Sequence, residues 1–276
     1  MTHSLHGVLP VLHTPFHASG EIDYETLRAE IDYVYAAGAD GIVLAMVSEV
    51  LRLSERERRE VAEFMARENA GRGSVTISVG AESTPQAVAY ARHAEESGAT
   101  ALMAIPPLSA ALDETQLRAY YAAIVEATAL PVVVQDASGY VGQPLAAQFQ
   151  AALWREWGER VLFKPESVPV GPVISAINEL TGGGAGIFDG SGGTFLVDSY
   201  RRGLAGTMPG SDLIDSLVAL WRALQNGDEE RIYTIAPLVT ALLAHATSLD
   251  AYVALEKHIL VRRGIFRNTL TRAPAG

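Results

Sequence analysis

The sequence contains no cysteine. This absence excludes disulfides, thiolate nucleophiles and zinc sites with cysteine ligands, and it is typical of cytoplasmic proteins. Residues 1–6 lack the basic and long apolar regions of a signal peptide. No apolar run approaches the roughly 20 residues that a membrane helix needs. We therefore expect a soluble, cytoplasmic protein without a membrane partner.

Basic residues are also scarce. The chain carries 21 Lys and Arg against 32 Asp and Glu, a formal net charge of −11. Nucleic-acid binding depends on clustered basic residues, so we expect no nucleic-acid partner.

No pair of histidines lies with a carboxylate at metal-ligand spacing, and the glycine-rich loops at 182–184 and 190–193 do not match the dinucleotide fingerprint. The sequence therefore predicts neither a metal nor another cofactor.

Hydrophobic residues make up 49% of the 276 residues, which provides material for one large core. Helical patterns at 24–36, 54–69 and 85–96 alternate with short apolar runs. Such alternation implies parallel strands with right-handed crossovers, and eight strands close a barrel of this size. We predict an α/β protein, a (β/α)8 TIM barrel. Its strands are expected near residues 7–12, 40–45, 75–80, 100–105, 131–135, 160–164, 185–189 and 204–208.

The pattern changes after Met208-Pro209-Gly210, where strands cease. Residues 212–225, 228–246 and 249–263 carry helical periodicity without intervening apolar strands. We predict a barrel over residues 1–210 and a C-terminal helical extension over residues 211–276. The extension is expected to pack on the barrel as part of one structural unit.

Lys164 is the strongest candidate for chemistry, because it ends the apolar run 161–163 and is followed by Pro165 and Glu166. Proline keeps the preceding residue extended, so Lys164 occupies the end of a strand, where barrels of this kind carry their active sites. Burial disfavours the ammonium form of a lysine, and the neutral amine attacks a ketone to give a Schiff base. The alternative is a structural lysine paired with Glu166 or Asp189.

Other strand ends carry groups that remain ambiguous. His13, after the first strand, is a candidate acid or base, and equally a hydrogen-bonded structural residue. Glu49, Asp136 and Asp189 are carboxylates that either take part in chemistry or cap the helices that follow them. The residues alone leave both alternatives open.

A set of motifs along nearly the whole chain is similar to the dihydrodipicolinate synthase and N-acetylneuraminate lyase family of class I aldolase-type barrels. The motif residues are Gly7, Thr14, Pro15, Phe16, Gly20, Asp23, Gly38, Gly41, Glu49, Ser54, Gly80, Thr84, Gly98, Ala99, Pro106, Pro131, Lys164 and 206–210. The resemblance implies that Lys164 forms a Schiff base with pyruvate or with the keto carbon of a 2-keto acid. It also implies a homo-oligomer, either a dimer or a tetramer.

The sequence departs from that family at its proton relay. The usual catalytic tyrosine corresponds to Gln135, the threonine loop that holds the substrate carboxylate is shortened to residues 46–49, and the second tyrosine matches Leu108. The arginine that holds a second carboxylate matches Tyr140. Glutamine does not exchange protons at accessible pH, so Gln135 would orient a substrate rather than act as an acid. These departures argue against synthesis of dihydrodipicolinate itself.

Together these observations predict a Schiff-base lyase acting on a small-molecule 2-keto acid, either a pyruvate-releasing aldolase or a dehydratase of a 2-keto-3-deoxy sugar acid. The predicted catalytic residues are Lys164, Gln135 and Glu49. The predicted substrate-binding residues are Val47, Ser48, Asp136, Tyr140, Gly190 and Met208. The alternative hypothesis is a catalytically degenerate barrel that binds a keto acid or serves as a scaffold.

Overall fold

The computed structural model describes residues 5–275. Most of the N-terminal segment on which the prediction of no signal peptide depends, residues 1–4, lies outside this part of the chain.

Within the described residues, eight parallel strands form the centre of the molecule. They are β1 Gly7–Val8, β2 Gly41–Leu44, β3 Ser74–Ser78, β4 Ala101–Ala104, β5 Val132–Asp136, β6 Val161–Pro165, β7 Phe188–Asp189 and β8 Gly206–Thr207. Hydrogen bonds link β2 through β6 in chain order and join β7 to β8 and β8 to β1. Isolated parallel bridges, Val11 to Val43 and Phe163 to Ile187, connect the two groups. This order closes the predicted (β/α)8 barrel.

Ten helices surround the strands in the described part of the chain. They are α1 Tyr24–Ala36, α2 Glu55–Asn69, α3 Thr84–Glu96, α4 Glu114–Ala127, α5 Ala147–Trp157, α6 Val170–Thr181, α7 Leu196–Arg201, α8 Ile214–Asn226, α9 Glu229–Leu243 and α10 Leu249–Arg262. Ser54 begins α2 with a capping box, in which its backbone N–H donates to Glu57 Oε2 at 2.8 Å. In residues 5–275 no helix has the length and apolar character to cross a membrane.

The C-terminal helices adjoin both ends of the barrel. Helix α8 follows β8 and contacts β1, α9 packs on α8, and α10 contacts the short 3-10 turn Met46–Ser48 that follows β2. The last contact places α10 over the carboxyl ends of the strands. The division of the chain at residue 210 stays a prediction.

The alternation of side chains along β5 and β6 positions the site. Val161 and Phe163 face the helices, whereas Leu162 faces the barrel interior. Because successive side chains of a strand point to opposite faces, Lys164 continues the interior row. In β5 the same alternation puts Val133 and Gln135 inside, and Gln135 pairs in register with Lys164. The two polar side chains therefore meet at one end of the barrel interior.

Candidate active site

Lys164 is buried at the carboxyl end of β6, with 4% of its surface exposed. Its Nζ lies 3.1 Å from Oε1 of Glu166. Gln135 Nε2 donates a hydrogen bond of 2.7 Å to the other oxygen, Oε2. The lysine, the carboxyl group and the amide thus form one buried chain of contacts. Lys164 is therefore ion-paired with Glu166, as the interpretation of a structural lysine expects. The same carboxyl group lies where a Schiff-base lysine would need a partner for proton transfer.

Glu166 was absent from the predicted site residues. Burial raises the pKa of its carboxyl group, although Lys164 and the hydrogen bond from Gln135 oppose that shift. A carboxyl group with a raised pKa beside an amine is suited to carry protons. The sequence did hold a signal, because residue 166 lies two positions after Lys164 and side chains repeat their direction every two residues in an extended chain.

Gly190, after β7, leaves the space that Glu166 occupies. A Cβ atom at position 190 would lie 2.6 Å from Cγ and 2.8 Å from Oε1 of Glu166, and 2.9 Å from Cε of Lys164. Any side chain at position 190 would therefore force Glu166 or Lys164 to move. Gly190 therefore acts through its small size, by allowing the carboxyl group to reach the lysine.

A small cavity of about 30 Å³ lies against Lys164. Six predicted site residues line it, namely Val47, Gln135, Tyr140, Lys164, Gly190 and Met208. Glu166, Tyr252 and Glu256 also line it, and none of the three was predicted. A larger cavity of about 260 Å³ shares Tyr140, Glu166, Gly190 and Tyr252 with the small one. The two together offer space for a short carbon chain that has its reactive end at Lys164.

Tyr140 and Tyr252 line both cavities, and their rings meet edge to face with centroids 5.7 Å apart. Burial raises the pKa of the Tyr140 phenol, and the nearby carboxylates of Glu166 and Glu256 raise it further. Burial also raises the pKa of Tyr252. Both phenols therefore keep their protons at neutral pH.

Three predicted residues, Ser48, Glu49 and Asp136, lie outside the lining of the small cavity, and each side chain has a protein partner elsewhere. The Ser48 hydroxyl donates to the Leu12 carbonyl and accepts from Ala45 N–H at 3.1 Å. Glu49 is ion-paired with Lys257 of α10. Asp136 accepts from the N–H groups of Ser138 and Leu145, at 3.0 and 3.1 Å. Ser48 and Glu49 lie in and directly after the 3-10 turn that follows β2. Asp136 is the last residue of β5 and, next to the inward-facing Gln135, points away from the barrel interior.

His13 lies in a buried network behind the cavity. Its Nε2 is 2.9 Å from Glu256 Oε2, and its Nδ1 is 3.1 Å from both Glu30 Oε1 and Ser211 Oγ. Burial lowers the pKa of the imidazole, but the hydrogen bonds to Glu256 and Glu30 outweigh burial and raise the pKa to about 10. His13 is thus a fixed cation at neutral pH. This state fits the hydrogen-bonded structural residue that the sequence offers beside an acid or base.

Asp189, the remaining ambiguous carboxylate, accepts a hydrogen bond of 2.8 Å from the Ser191 hydroxyl. It also accepts one of 3.2 Å from the Ser191 N–H, so it holds the loop after β7. In residues 5–275 no group of three or more His, Asp or Glu side chains is arranged to hold a metal ion.

The profile of the Dihydrodipicolinate synthetase family matches residues 4–276. The chain belongs to this family. A curated relative, the L-2-keto-3-deoxyarabonate dehydratase of Azospirillum brasilense, is 28% identical over 273 residues, which cover 97% of this chain and 88% of the relative. The 4-hydroxy-tetrahydrodipicolinate synthase of Rhizobium meliloti (strain 1021) is 31% identical over 148 residues, 53% of this chain and 50% of the relative. This chain is therefore matched to only half the length of that relative.

Solved structures of the family share the fold. The crystal structure of dihydrodipicolinate synthase from Rhodopseudomonas palustris superimposes with a TM-score of 0.91 at 23% identity, over 100% of this chain and 93% of that one. The fold and family predicted from the sequence are confirmed. The protein is an enzyme of the lyase class, as its family and its dehydratase relative indicate.

Proposed function

We propose that this lyase dehydrates a 2-keto-3-deoxy sugar acid through a Schiff base on Lys164. The observation that carries the proposal is the buried Lys164 Nζ, 3.1 Å from the Glu166 carboxyl group, on the wall of a cavity at the carboxyl end of the barrel. The dehydratase of Azospirillum brasilense, similar over almost the whole chain, supports this substrate class. The replaced relay residues argue against dihydrodipicolinate synthesis.

Schiff-base formation requires two proton transfers at the lysine. The neutral amine of Lys164 attacks the C2 carbonyl, the proton that the nitrogen loses passes to the C2 oxygen, and the resulting hydroxyl leaves as water after it gains a second proton. Glu166 is placed for both transfers, since one of its oxygens contacts Nζ. Its raised pKa favours a carboxyl group that exchanges protons readily. We assign to Glu166 the role that the family's tyrosine relay performs elsewhere.

The C1 carboxylate of the substrate would bind at the 3-10 turn Met46–Ser48. The first N–H groups of a short helix have no partner within it, and they point toward anions. Val47 lines the small cavity at this turn. Of the predicted groups, this arrangement uses the N–H of Val47. The N–H of Ser48 donates to the Ala45 carbonyl at 3.0 Å, and the Ser48 hydroxyl donates to the Leu12 carbonyl.

The hydroxylated end of the substrate would lie in the larger cavity. Ser191, Thr194 and Thr247 contribute hydroxyl groups to its wall beside apolar residues such as Val168 and Leu243. A mixed wall of this kind suits a short hydroxylated carbon chain, with each hydroxyl held by a polar group. Tyr140 and Tyr252, shared by both cavities, would contact the middle of the substrate.

The proposal is tested by borohydride reduction and intact-protein mass spectrometry, with pyruvate and a panel of 2-keto-3-deoxy acids. Wild-type protein should gain the mass of the reduced adduct, and Lys164→Ala should not. NMR of the products would separate loss of water from release of pyruvate. Absence of an adduct with every keto acid would support the binding or scaffold hypothesis instead.

We also propose that the protein is a cytoplasmic homo-oligomer, a dimer or a tetramer, as the family resemblance implies. Exposed apolar side chains give support, since Val168 and Leu238 have 73% and 70% of their surfaces accessible. Light scattering coupled to size-exclusion chromatography would measure the mass in solution. A monomer over a wide range of protein concentration would contradict this assignment.

A further inference from the structure

The small cavity at Lys164 contains a second carboxylate, Glu256 of α10. Only 2% of this residue is exposed. Its Oε2 accepts a hydrogen bond of 2.9 Å from His13 Nε2. The cavity therefore presents Glu166 from β6 and Glu256 from a C-terminal helix to the same ligand.

Gly210, after β8, leaves the space for this second carboxylate. A Cβ atom at position 210 would lie 2.6 Å from Glu256 Cδ and closer still to Oε1. Gly210 itself lines the small cavity. Oε2 is thus turned toward His13, and Oε1 is turned toward a cavity wall that has no side chain.

The two carboxyl groups differ in the use of their oxygens. Glu166 has both oxygens engaged, Oε1 by Lys164 and Oε2 by Gln135. Glu256 has Oε2 engaged by His13, while Oε1 lies beside Gly210. An acid–base group needs a lone pair aimed at the reacting atoms, and Glu256 offers one without giving up an existing contact.

We infer that Glu256 is the acid–base residue of the elimination step, with Oε1 acting on the substrate while His13 holds Oε2. This inference rests on the proposed function, because it requires a substrate joined to Lys164 as an iminium. Oε1 removes a proton from C3, and the C3–H electron pair forms the C2–C3 double bond of an enamine. The enamine electrons then expel the hydroxyl from C4, which takes the same proton from Glu256 and leaves as water.

His13 is a positioning residue in this scheme. It is held by Glu30, which accepts from the His13 backbone N–H at 2.9 Å and lies 3.1 Å from Nδ1. The Ser211 hydroxyl completes the contact by donating to Glu30 at 2.6 Å. The imidazole of His13 holds one oxygen of Glu256 and so orients the second, and no reorganisation is needed when the substrate binds.

The test separates Schiff-base formation from proton transfer at carbon. Pyruvate joined to Lys164 exchanges its methyl protons with D₂O through the enamine, and NMR follows this exchange above the rate without enzyme, while borohydride trapping reports the Schiff base. Glu256→Gln should trap pyruvate to the wild-type extent. It should exchange the methyl protons of pyruvate, and dehydrate a 2-keto-3-deoxy sugar acid, at least ~100-fold more slowly than wild type. Glu229→Gln, which removes a surface carboxylate paired with Arg201, serves as the matched control and should match wild type in both assays.

Exchange by Glu256→Gln within about threefold of wild type, with normal trapping, would overturn the inference and leave the proposed function intact. Failure of the wild-type protein to trap any keto acid would defeat the proposed function itself. If Glu256→Gln does not fold, Glu256→Asp provides the same test, because it keeps the charge beside His13 and withdraws the carboxylate by one methylene. Glu256→Asp should also exchange the methyl protons of pyruvate slowly while its borohydride trapping stays normal. Exchange at the wild-type rate would overturn the inference.

Discussion

Replacement of His13 by glutamine should destabilise the protein in a manner that depends on pH. His13 is 1% exposed and lies between the carboxylates of Glu30 and Glu256. Glutamine would keep an N–H donor near Glu256 but would remove the positive charge. Two buried carboxylates would then face each other without a cation.

The size of the effect follows from the burial of the network. Removal of one partner from a buried ion pair costs about 3–5 kcal/mol, a large share of the ~5–15 kcal/mol by which proteins are stable. For a domain of this size about 2–4 °C is lost per kcal/mol. The midpoint of thermal unfolding of His13→Gln should therefore fall by ~10 °C at neutral pH.

The direction of the pH effect follows from the raised pKa of His13, which is about 10 in the folded protein against 6.5 for an unperturbed histidine. The folded state binds this proton more tightly than the unfolded state. The stabilisation is therefore fully present below pH 6.5 and is lost as the pH rises through about 10. The difference in free energy of unfolding between wild type and His13→Gln should be large at about pH 6 and should vanish above about pH 10.

Urea denaturation of both proteins at these two pH values measures the gap. Asp212 is a neighbouring carboxyl that also titrates, so the pair should be compared again in an Asp212→Asn background. A gap of equal size at both pH values would refute the charge argument, because it would mean that packing and not the imidazolium accounts for the loss. An unchanged midpoint at neutral pH would refute the buried network altogether.

Three further predictions concern single side chains. Burial, and then the charge of Glu256, raise the pKa of Asp212 from 3.8 to about 7, so stability is lost progressively as the pH rises between these two values and the full loss is present above about pH 7. Asp212→Asn should stabilise the protein by a few kcal/mol at about pH 8 and not below about pH 4, as measured by urea denaturation. Gly190→Ala should lower borohydride trapping at least ~10-fold without unfolding the barrel, since the added Cβ would collide with Glu166; normal trapping would contradict this. Glu49→Gln should lower the free energy of unfolding by about 3 kcal/mol, because it leaves Lys257 buried without its carboxylate, and equal stability would argue against the pair.

The barrel could be predicted from the sequence because its signals are local. The apolar run before Lys164, and Ser54 with Glu57, each specify a short element, and the structure has β6 and α2 at those places. Repetition of such units then implies the closed parallel barrel. The position of Lys164 follows in the same way, since the end of a strand and the alternation of its side chains are both visible in the sequence.

The strand-end carboxylates were harder to interpret for a physical reason. Asp136 is the last residue of β5 and, next to the inward-facing Gln135, points away from the barrel interior. Glu49 instead follows the 3-10 turn after β2, where the conformation of the turn sets the direction of its side chain. Asp136 turned to the N–H groups of its own loop, and Glu49 turned to Lys257. The direction of Asp136 is therefore visible in the alternation of β5, whereas the direction of Glu49 depends on a turn conformation that the sequence does not show.

Glu256 escaped prediction because its contacts are distant in the chain. It lies 243 residues from His13. A weak signal does exist, since Glu256 shares one face of α10 with the buried residues Val253 and Leu260, at helical spacings of three and four. A charged residue on the apolar face of a helix needs a buried partner, and the sequence does not show which partner it is.

The pairing of small residues with carboxylates favours an active enzyme over a degenerate barrel. At the ends of β7 and β8, glycines leave room for Glu166 and Glu256 respectively, and both carboxyl groups line the cavity at Lys164. Burial of carboxylates costs free energy that apolar side chains of similar size would not cost. A barrel that served only as a scaffold would be more stable without them. Two such groups beside a buried lysine are therefore better explained by proton transfer at that lysine than by a purely structural role.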